Sequence, residues 1–305
     1  MRYATFEHSG ARHVGEVRGD TLVPLRHLTE IGPGTPLDAL RAAPREVHRA
    51  VGVDEVTLLP VVPNPRKMLC VGLNYADHIA ETGRERPTYP VLFPKYADSL
   101  LGAYDDIVLP PESHQVDYEG ELAVVIGVPG RRIRPESALE HVAGYTVAND
   151  VTVRDYQYKT HQWLQGKAWD ATTPLGPYLV TADEVDLATA GIRTVLNGRP
   201  VQESSVDQLV LGAAELISLI SEFTALAPGD VILTGTPGGV GYRREPQVFL
   251  RDGDVVAVEI DGIGRVENRV VAAGGGPVPA PGPALGGGRV DDLPEAGQIT
   301  RNHGA

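Results

Sequence analysis

The sequence predicts a strand-rich α+β fold with short helices. Its parts are a small N-terminal α/β subdomain over residues 1–65, a larger strand-rich domain over 66–272, and a tail over 273–305 expected to be disordered. Three observations predict this layout. From residue 66 to about 272, apolar stretches of strand length recur between glycine, proline and asparagine turn signals. Only one long stretch, DQLVLGAAELISLISEFTAL, carries a clear helical period. Residues 274–288, GGGPVPAPGPALGGG, hold 11 Gly or Pro in 15 positions, a composition that cannot bury a core.

The elements follow in order. RYATFEHSGARHVGEVRGDTLVPL reads as short strands with turns at Gly10, Gly15 and Gly19-Asp20. Residues 35–51 read as a helix, with Thr35 as cap and Pro36 in the first position. Pro60, Pro63 and Pro65 make an extended linker, and a boundary falls near 65. Strands are expected at Met68–Val71, Glu121–Ile126, Gly144–Ala148, Tyr178–Thr181, Arg193–Leu196, Val231–Thr234 and Val255–Ile260. In the long helix, Leu216, Ile217, Ile220 and Phe223 form the apolar stripe, Ser205 and Gln208 fit a capping box, and Pro228-Gly229 ends the segment.

The bulk numbers exclude some functions. A formal charge of −13 disfavours a nucleic-acid binder or an anionic-membrane binder. The one cysteine, Cys70, rules out an internal disulfide and reads as a small core residue. The N-terminal stretch has no apolar signal core, and no apolar run reaches the length of a membrane span, so a soluble cytoplasmic protein is expected.

The chemistry starts at VDYEGELAVVIG. If this is one strand, Asp117, Glu119 and Glu121 share a face about 6.6 Å apart, from the rise of a strand. Like charges at that spacing repel by about 2.5 kcal/mol at an effective dielectric near 20. Water, a basic partner, a shared proton or a cation must offset that cost. A second acid, Asp150, ends the separate run GYTVAND, and an all-oxygen set of carboxylates suits a hard cation such as Mg²⁺ or Mn²⁺.

Three other stretches have two readings each. His78 and Glu81 in GLNYADHIAETG are neighbours on a helical turn, either as a surface ion pair or as an imidazole oriented for general-base work on water. Lys167 sits between Trp163 and Trp169, either snorkelling or aimed at an anionic substrate. Thr236, in the turn TGTPGGVG after an apolar run, lies in a bare tight turn or in a cradle of amides for a carboxylate. The glycine spacing is not that of a dinucleotide fingerprint.

Together, MLCVGLNYADHIAE, LFPKYADSLLG, VDYEGELAVVIG, GYTVANDVTVRDYQ, GKAWDATTPLGPY and LAPGDVILTGTPGGVG resemble the fumarylacetoacetate hydrolase family across residues 66–272. Within it, the chain resembles the bacterial and mitochondrial branch of fumarylacetoacetate hydrolase domain-containing or hydroxyhepta-dienedioate isomerase-like proteins. The resemblance implies a mixed β-roll, commonly a homodimer, with Mg²⁺ and sometimes Mn²⁺ or Ca²⁺. It puts the metal ligands at Glu119, Glu121 and Asp150, with Asp117 outside the inner set. It makes His78 and Glu81 the hydrolytic pair and Lys167 the group that steadies an enolate. It places Arg154, Gln157 and Thr236 along the substrate. The implied reaction is hydrolytic C–C cleavage of an acylpyruvate-type 2-oxo acid. The alternative is tautomerisation, isomerisation or decarboxylation of oxaloacetate or an unsaturated 2-oxo dioate at the same site. A non-catalytic metal-binding protein is the third reading. The chain departs from the family pattern at Gly238 and in YADSL after Lys95, both beside the pocket.

Overall fold

The computed structural model describes residues 1–83 and 85–274. The expected disorder of the tail, from residue 275 onward, lies outside the described residues. In chain order the long strands are β1 (Arg2–His8), β2 (Ala11–Arg18), β3 (Thr21–Pro24), β4 (Met68–Gly72), β5 (Val91–Lys95), β6 (Gly120–Ile126), β7 (Val142–Asn149), β8 (Thr173–Thr181), β9 (Gly191–Leu196), β10 (Arg199–Ser205), β11 (Val231–Leu233), β12 (Val255–Ile260) and β13 (Gly264–Ala272). The helices are α1 (Leu37–Ala42), α2 (Ala76–Thr82), α3 (Arg154–Gln157), α4 (Leu164–Lys167) and α5 (Ala213–Phe223).

One large sheet runs from the short strand Val51–Gly52 through β3, β2, β1, β8, β7, β6, β11 and β4 to β5. Its neighbours along that path are antiparallel except β11 and β4, which run parallel. A second sheet orders β10, β9, β12, β13 and the short strand Ile107–Leu109. The strand β6 explains the unbroken apolar run of the sequence, because all seven of its residues are buried. Leu122, Val124 and Ile126 face α5 and the second sheet, alongside Leu216, Ile217, Ile220, Val258 and Ile260. Ala123 and Val125 face the opposite core, with Leu40, Val61, Val62 and Leu179. A strand covered on both faces has no solvent side to alternate with. Each such large side chain contributes about 1.5–3 kcal/mol through burial.

Several expected elements differ. The helix over 35–51 shrinks to α1, and Ala43, which precedes Pro44, is extended at φ −58, ψ 133. Proline disfavours helical backbone in the residue before it. Thr35 does not cap; its hydroxyl donates to the Glu30 carbonyl at 3.2 Å. Gly10 and Gly19 lie at turns, but Gly15 is inside β2. A Cβ there would come within 2.9 Å of the Phe6 ring. The capping box expected at Ser205 and Gln208 does not start this helix. The stretch before the helix is held by Asn74, whose carbonyl accepts Val210 N–H and whose Oδ1 accepts Leu211 N–H, both at 2.8 Å. The helix therefore starts at Ala213, with the Glu215 carboxylate accepting Gly212 N–H at 2.9 Å. Phe223 is 54% exposed, since it lies at the margin of the buried arc in the last turn. The proline-rich stretch before β4 forms no strand, yet Val61 and Val62 are fully buried and Val61 N–H donates to the Leu175 carbonyl. No helix among the described residues is long and apolar enough to cross a membrane.

Candidate active site

The acidic cluster is made by strand register. β6 and β7 pair antiparallel with Gly120 opposite Asn149 and Glu121 opposite Ala148. The next residues outward, Glu119 and Asp150, are joined by Asp150 N–H donating to the Glu119 carbonyl at 2.8 Å. Glu121, within β6, and Glu119, just ahead of its first residue, bring their carboxylates to the same cluster. The three carboxylates are buried and offer oxygens all within 4.8 Å of one another. Such a buried, all-oxygen donor set fits a hard divalent cation.

Asp117 does not join them. The chain leaves strand geometry at Tyr118 and Glu119, so the same-face expectation fails for the first acid. The Asp117 carboxylate instead accepts the N–H groups of Tyr118, Gly241 and Tyr242 at 2.8–2.9 Å and pairs with Arg154 at 2.8 Å. It ties Arg154 to the Gly-rich turn.

Three cations surround the cluster. Lys167 Nζ donates to Glu119 Oε2 at 2.7 Å and to Asp150 Oδ2 at 2.8 Å. Lys95 Nζ holds the other Asp150 oxygen at 2.7 Å. Arg154 Nη1 reaches Glu119 Oε1 at 2.7 Å and donates to Gln157 Oε1 at 3.0 Å. Burial by itself would raise the Glu119 carboxyl, but Lys167 and Arg154 hold it well below its ordinary value. Burial, then Asp150 and Glu119, push the Glu121 carboxyl well above its ordinary value. Burial would lower Lys167, yet Asp150 and Glu119 keep it above the usual lysine value and protonated.

Short elements deliver the remaining groups. Lys167 and Arg154 come from α4 and α3, which approach so closely that a Cβ on Gly166 would lie 2.5 Å from Gln157 Cα. In α2, His78 Nδ1 meets Glu81 Oε1 at 2.7 Å, and Glu81 Oε2 accepts Gly239 N–H at 2.8 Å. His78 is buried, so the pair is no surface ion pair. Lys167 is 2% exposed and does not snorkel. The Gly-rich turn does cradle a carboxylate, the protein's own: Gly235 N–H donates to Glu121 Oε2 at 2.8 Å. Thr236 donates to the Gly120 carbonyl at 3.0 Å.

His78, Glu119, Glu121, Arg154, Gln157, Lys167 and Thr236 line one cleft, and a concave site with a few convergent polar groups is the usual setting for a small molecule. Asp150 lies behind Lys167, and Glu81 behind His78. Sequence reasoning missed Lys95, whose signal was a lysine ending the apolar stretch VLFPK. It also missed Gln202, which is 2% exposed. Gln202 Nε2 donates to Thr236 Oγ1 at 2.7 Å, and its Oε1 accepts Gly120 N–H at 3.0 Å, bracing the turn and the ligand strand from the second sheet. A polar residue in a hairpin gave no signal for that role.

Residues 67–271 match the model of the fumarylacetoacetate (FAA) hydrolase C-terminal family. The chain belongs to the fumarylacetoacetate hydrolase family. Among curated members of the family, oxaloacetate tautomerase FAHD2A, mitochondrial, of Bos taurus is 50% identical over 288 residues, covering 89% of this chain and 92% of its own length. Oxaloacetate tautomerase fahd2, mitochondrial, of Xenopus laevis is 46% identical, covering 81% of this chain and 78% of its own. Among solved structures, a fumarylacetoacetate hydrolase from Exiguobacterium antarcticum superposes with a TM-score of 0.78 at 37% identity, over 90% of this chain and 100% of its own. A 5-carboxymethyl-2-hydroxymuconate delta-isomerase from Mycobacterium smegmatis gives 0.77 at 33%, over the same shares. The strand-rich fold expected from the sequence is thus the fumarylacetoacetate hydrolase fold. The expectation of a cytoplasmic protein is withdrawn: these curated relatives are mitochondrial by name, and the absence of an apolar signal core does not separate the two compartments.

Proposed function

We propose that this protein is a divalent-metal-dependent tautomerase that interconverts the keto and enol forms of an oxaloacetate-type 2-oxo acid. The observation that carries the reading is one cleft lined by an oriented imidazole, a buried ammonium and two acids of the triad, Glu119 and Glu121, with Asp150 behind them. The Bos taurus and Xenopus laevis tautomerases favour it over the C–C hydrolysis first expected, since it uses the same groups and adds no water.

Glu81 engages His78 Nδ1 and leaves Nε2 to work as the base. Nε2 takes a proton from C3 of the substrate, the C–H electron pair becomes the C2–C3 double bond, and the 2-oxo oxygen gains the charge. Lys167, kept protonated by its carboxylates, donates to that oxygen. The proton on His78 then passes to the oxygen and gives the enol, so nothing enters or leaves overall. Glu119, Glu121 and Asp150 would hold a divalent cation, with Mg²⁺ proposed ahead of Mn²⁺ and Ca²⁺, and when bound it would supply Lewis-acid polarisation of the 2-oxo group. Arg154, Gln157 and Thr236 are the proposed substrate-lining residues. Residues 66–272 form the proposed catalytic domain, and a homodimer is its proposed state.

The test follows the enol absorbance of oxaloacetate with Mg²⁺, with a chelator control, beside a panel of acylpyruvates. Chelator-sensitive acceleration of keto–enol exchange is expected. A rate equal to buffer alone, or faster cleavage of an acylpyruvate, overturns the proposal.

A further inference from the structure

We propose that Arg243 receives the distal carboxylate of the substrate and so selects 2-oxo dioates over 2-oxo monoacids. The inference rests on the tautomerase reading of the cleft and names its substrate class.

Arg243 lines the same cleft as His78, Lys167, Glu119 and Glu121. Three cations at the triad, Lys95, Lys167 and Arg154, are engaged by Asp150, Glu119 and Asp117. Arg243 is different. Among the described residues its guanidinium has no ion pair; it lies over the Tyr242 ring, 5.2 Å from the centroid. The same ring is 6.0 Å from the Arg154 guanidinium and stacks at 5.2 Å on Tyr158, which also lines the cleft. One aromatic side chain therefore spans from the inner charge cluster to an unpaired cation at the lip.

The charge count points the same way. Asp117, Glu119, Glu121 and Asp150 against Lys95, Lys167 and Arg154 leave a formal charge of −1. Glu81 faces His78 and the Gly239 N–H instead of the cluster. A divalent cation makes the cluster +1, and the carboxylate next to the 2-oxo group brings it to zero. A second carboxylate on the substrate finds no balancing charge there. Arg243 provides it, and its planar fork suits a carboxylate. Because the side chain is exposed, the free protein carries no unpaired buried cation.

The experiment compares wild type, Arg243→Leu and Arg243→Lys on oxaloacetate and on its 4-methyl ester, with Mg²⁺ present. Oxalate serves as a calorimetric probe of the inner site. Arg243→Leu is expected to raise KM for oxaloacetate by about tenfold or more, the size of one charge-assisted contact. Its kcat should stay within about twofold, because the base and the Lewis acid are untouched. Arg243→Lys should recover part of the loss. The ester should be used alike by all three proteins, and oxalate affinity should not change. Unchanged KM for oxaloacetate in Arg243→Leu, with oxalate still bound, overturns the role of Arg243 and leaves the tautomerase reading standing. A wild type that neither binds oxalate nor turns over either substrate overturns both.

Discussion

Lys167 Nζ sits between two carboxylates, 2.7 Å from Glu119 Oε2 and 2.8 Å from Asp150 Oδ2, with all three side chains buried. The ammonium is held by two carboxylates of the candidate metal set, so its removal strikes both stability and chemistry. Lys167→Met leaves the Glu119 and Asp150 charges without that partner. Breaking a buried pair by deleting one member costs about 3–5 kcal/mol. The expected outcome is a clearly lower denaturation midpoint in urea, with tautomerase turnover down by roughly 100-fold or more. Wild-type stability in the variant would contradict the arrangement.

Asp150, the proposed ligand that directly follows β7, carries Lys95 on its other oxygen. Asp150→Asn keeps the shape and removes one anionic donor. Calorimetric Mg²⁺ affinity should fall by at least the roughly 10–100-fold seen when a mere supporting residue of a metal site is lost. Chelation of the wild type should abolish activity, and added Mg²⁺ should restore it. Full affinity in Asp150→Asn would place the cation elsewhere.

His78 is tied to Glu81 at 2.7 Å and lines the cleft. His78→Ala should lower kcat for oxaloacetate tautomerisation by about 10²–10⁴, the usual span for a general base. KM and Mg²⁺ affinity should hold, since His78 is outside the acidic triad. A variant with wild-type kcat assigns the proton transfer to another group.

Cys70 is fully buried in β4, and burial first, then Asp150, pushes its thiol well above the ordinary value. The thiolate is the reactive form, so a raised value means less of it at any given pH. A thiol reagent at pH 8 to 8.5, about the ordinary cysteine value, should leave the folded protein unlabelled and modify one thiol after unfolding in urea. Rapid labelling of the native protein would contradict the burial.

The strands were legible where burial on both faces writes an unbroken apolar run, as in β6 and β7. They were less so where a strand carries alternating or polar residues, as in β10 and β13. The triad was legible because closely spaced acids beside a buried strand need a partner, and the family motifs marked Glu119, Glu121 and Asp150 together. The role of Asp117 was not, since the strand breaks at Tyr118 and turns that side chain toward Arg154. The helix start at Ala213 was hidden because Asn74, far away in the chain, takes the backbone groups that a local cap would have used.

By itself the sequence determined which residues repel water and which cannot be left unpaired. That chose the buried strands, the family motifs, and the candidate groups Glu119, Glu121, Asp150, His78 and Lys167. Tertiary structure alone decided who pairs with whom. The β6–β7 register brings Glu119 to Asp150, Lys95 and Gln202 arrive from strands distant in sequence, and Arg243 has no ion pair among the described residues. The reason is physical: burial is a property of each side chain, whereas electrostatic balance depends on distances that only the closed fold defines.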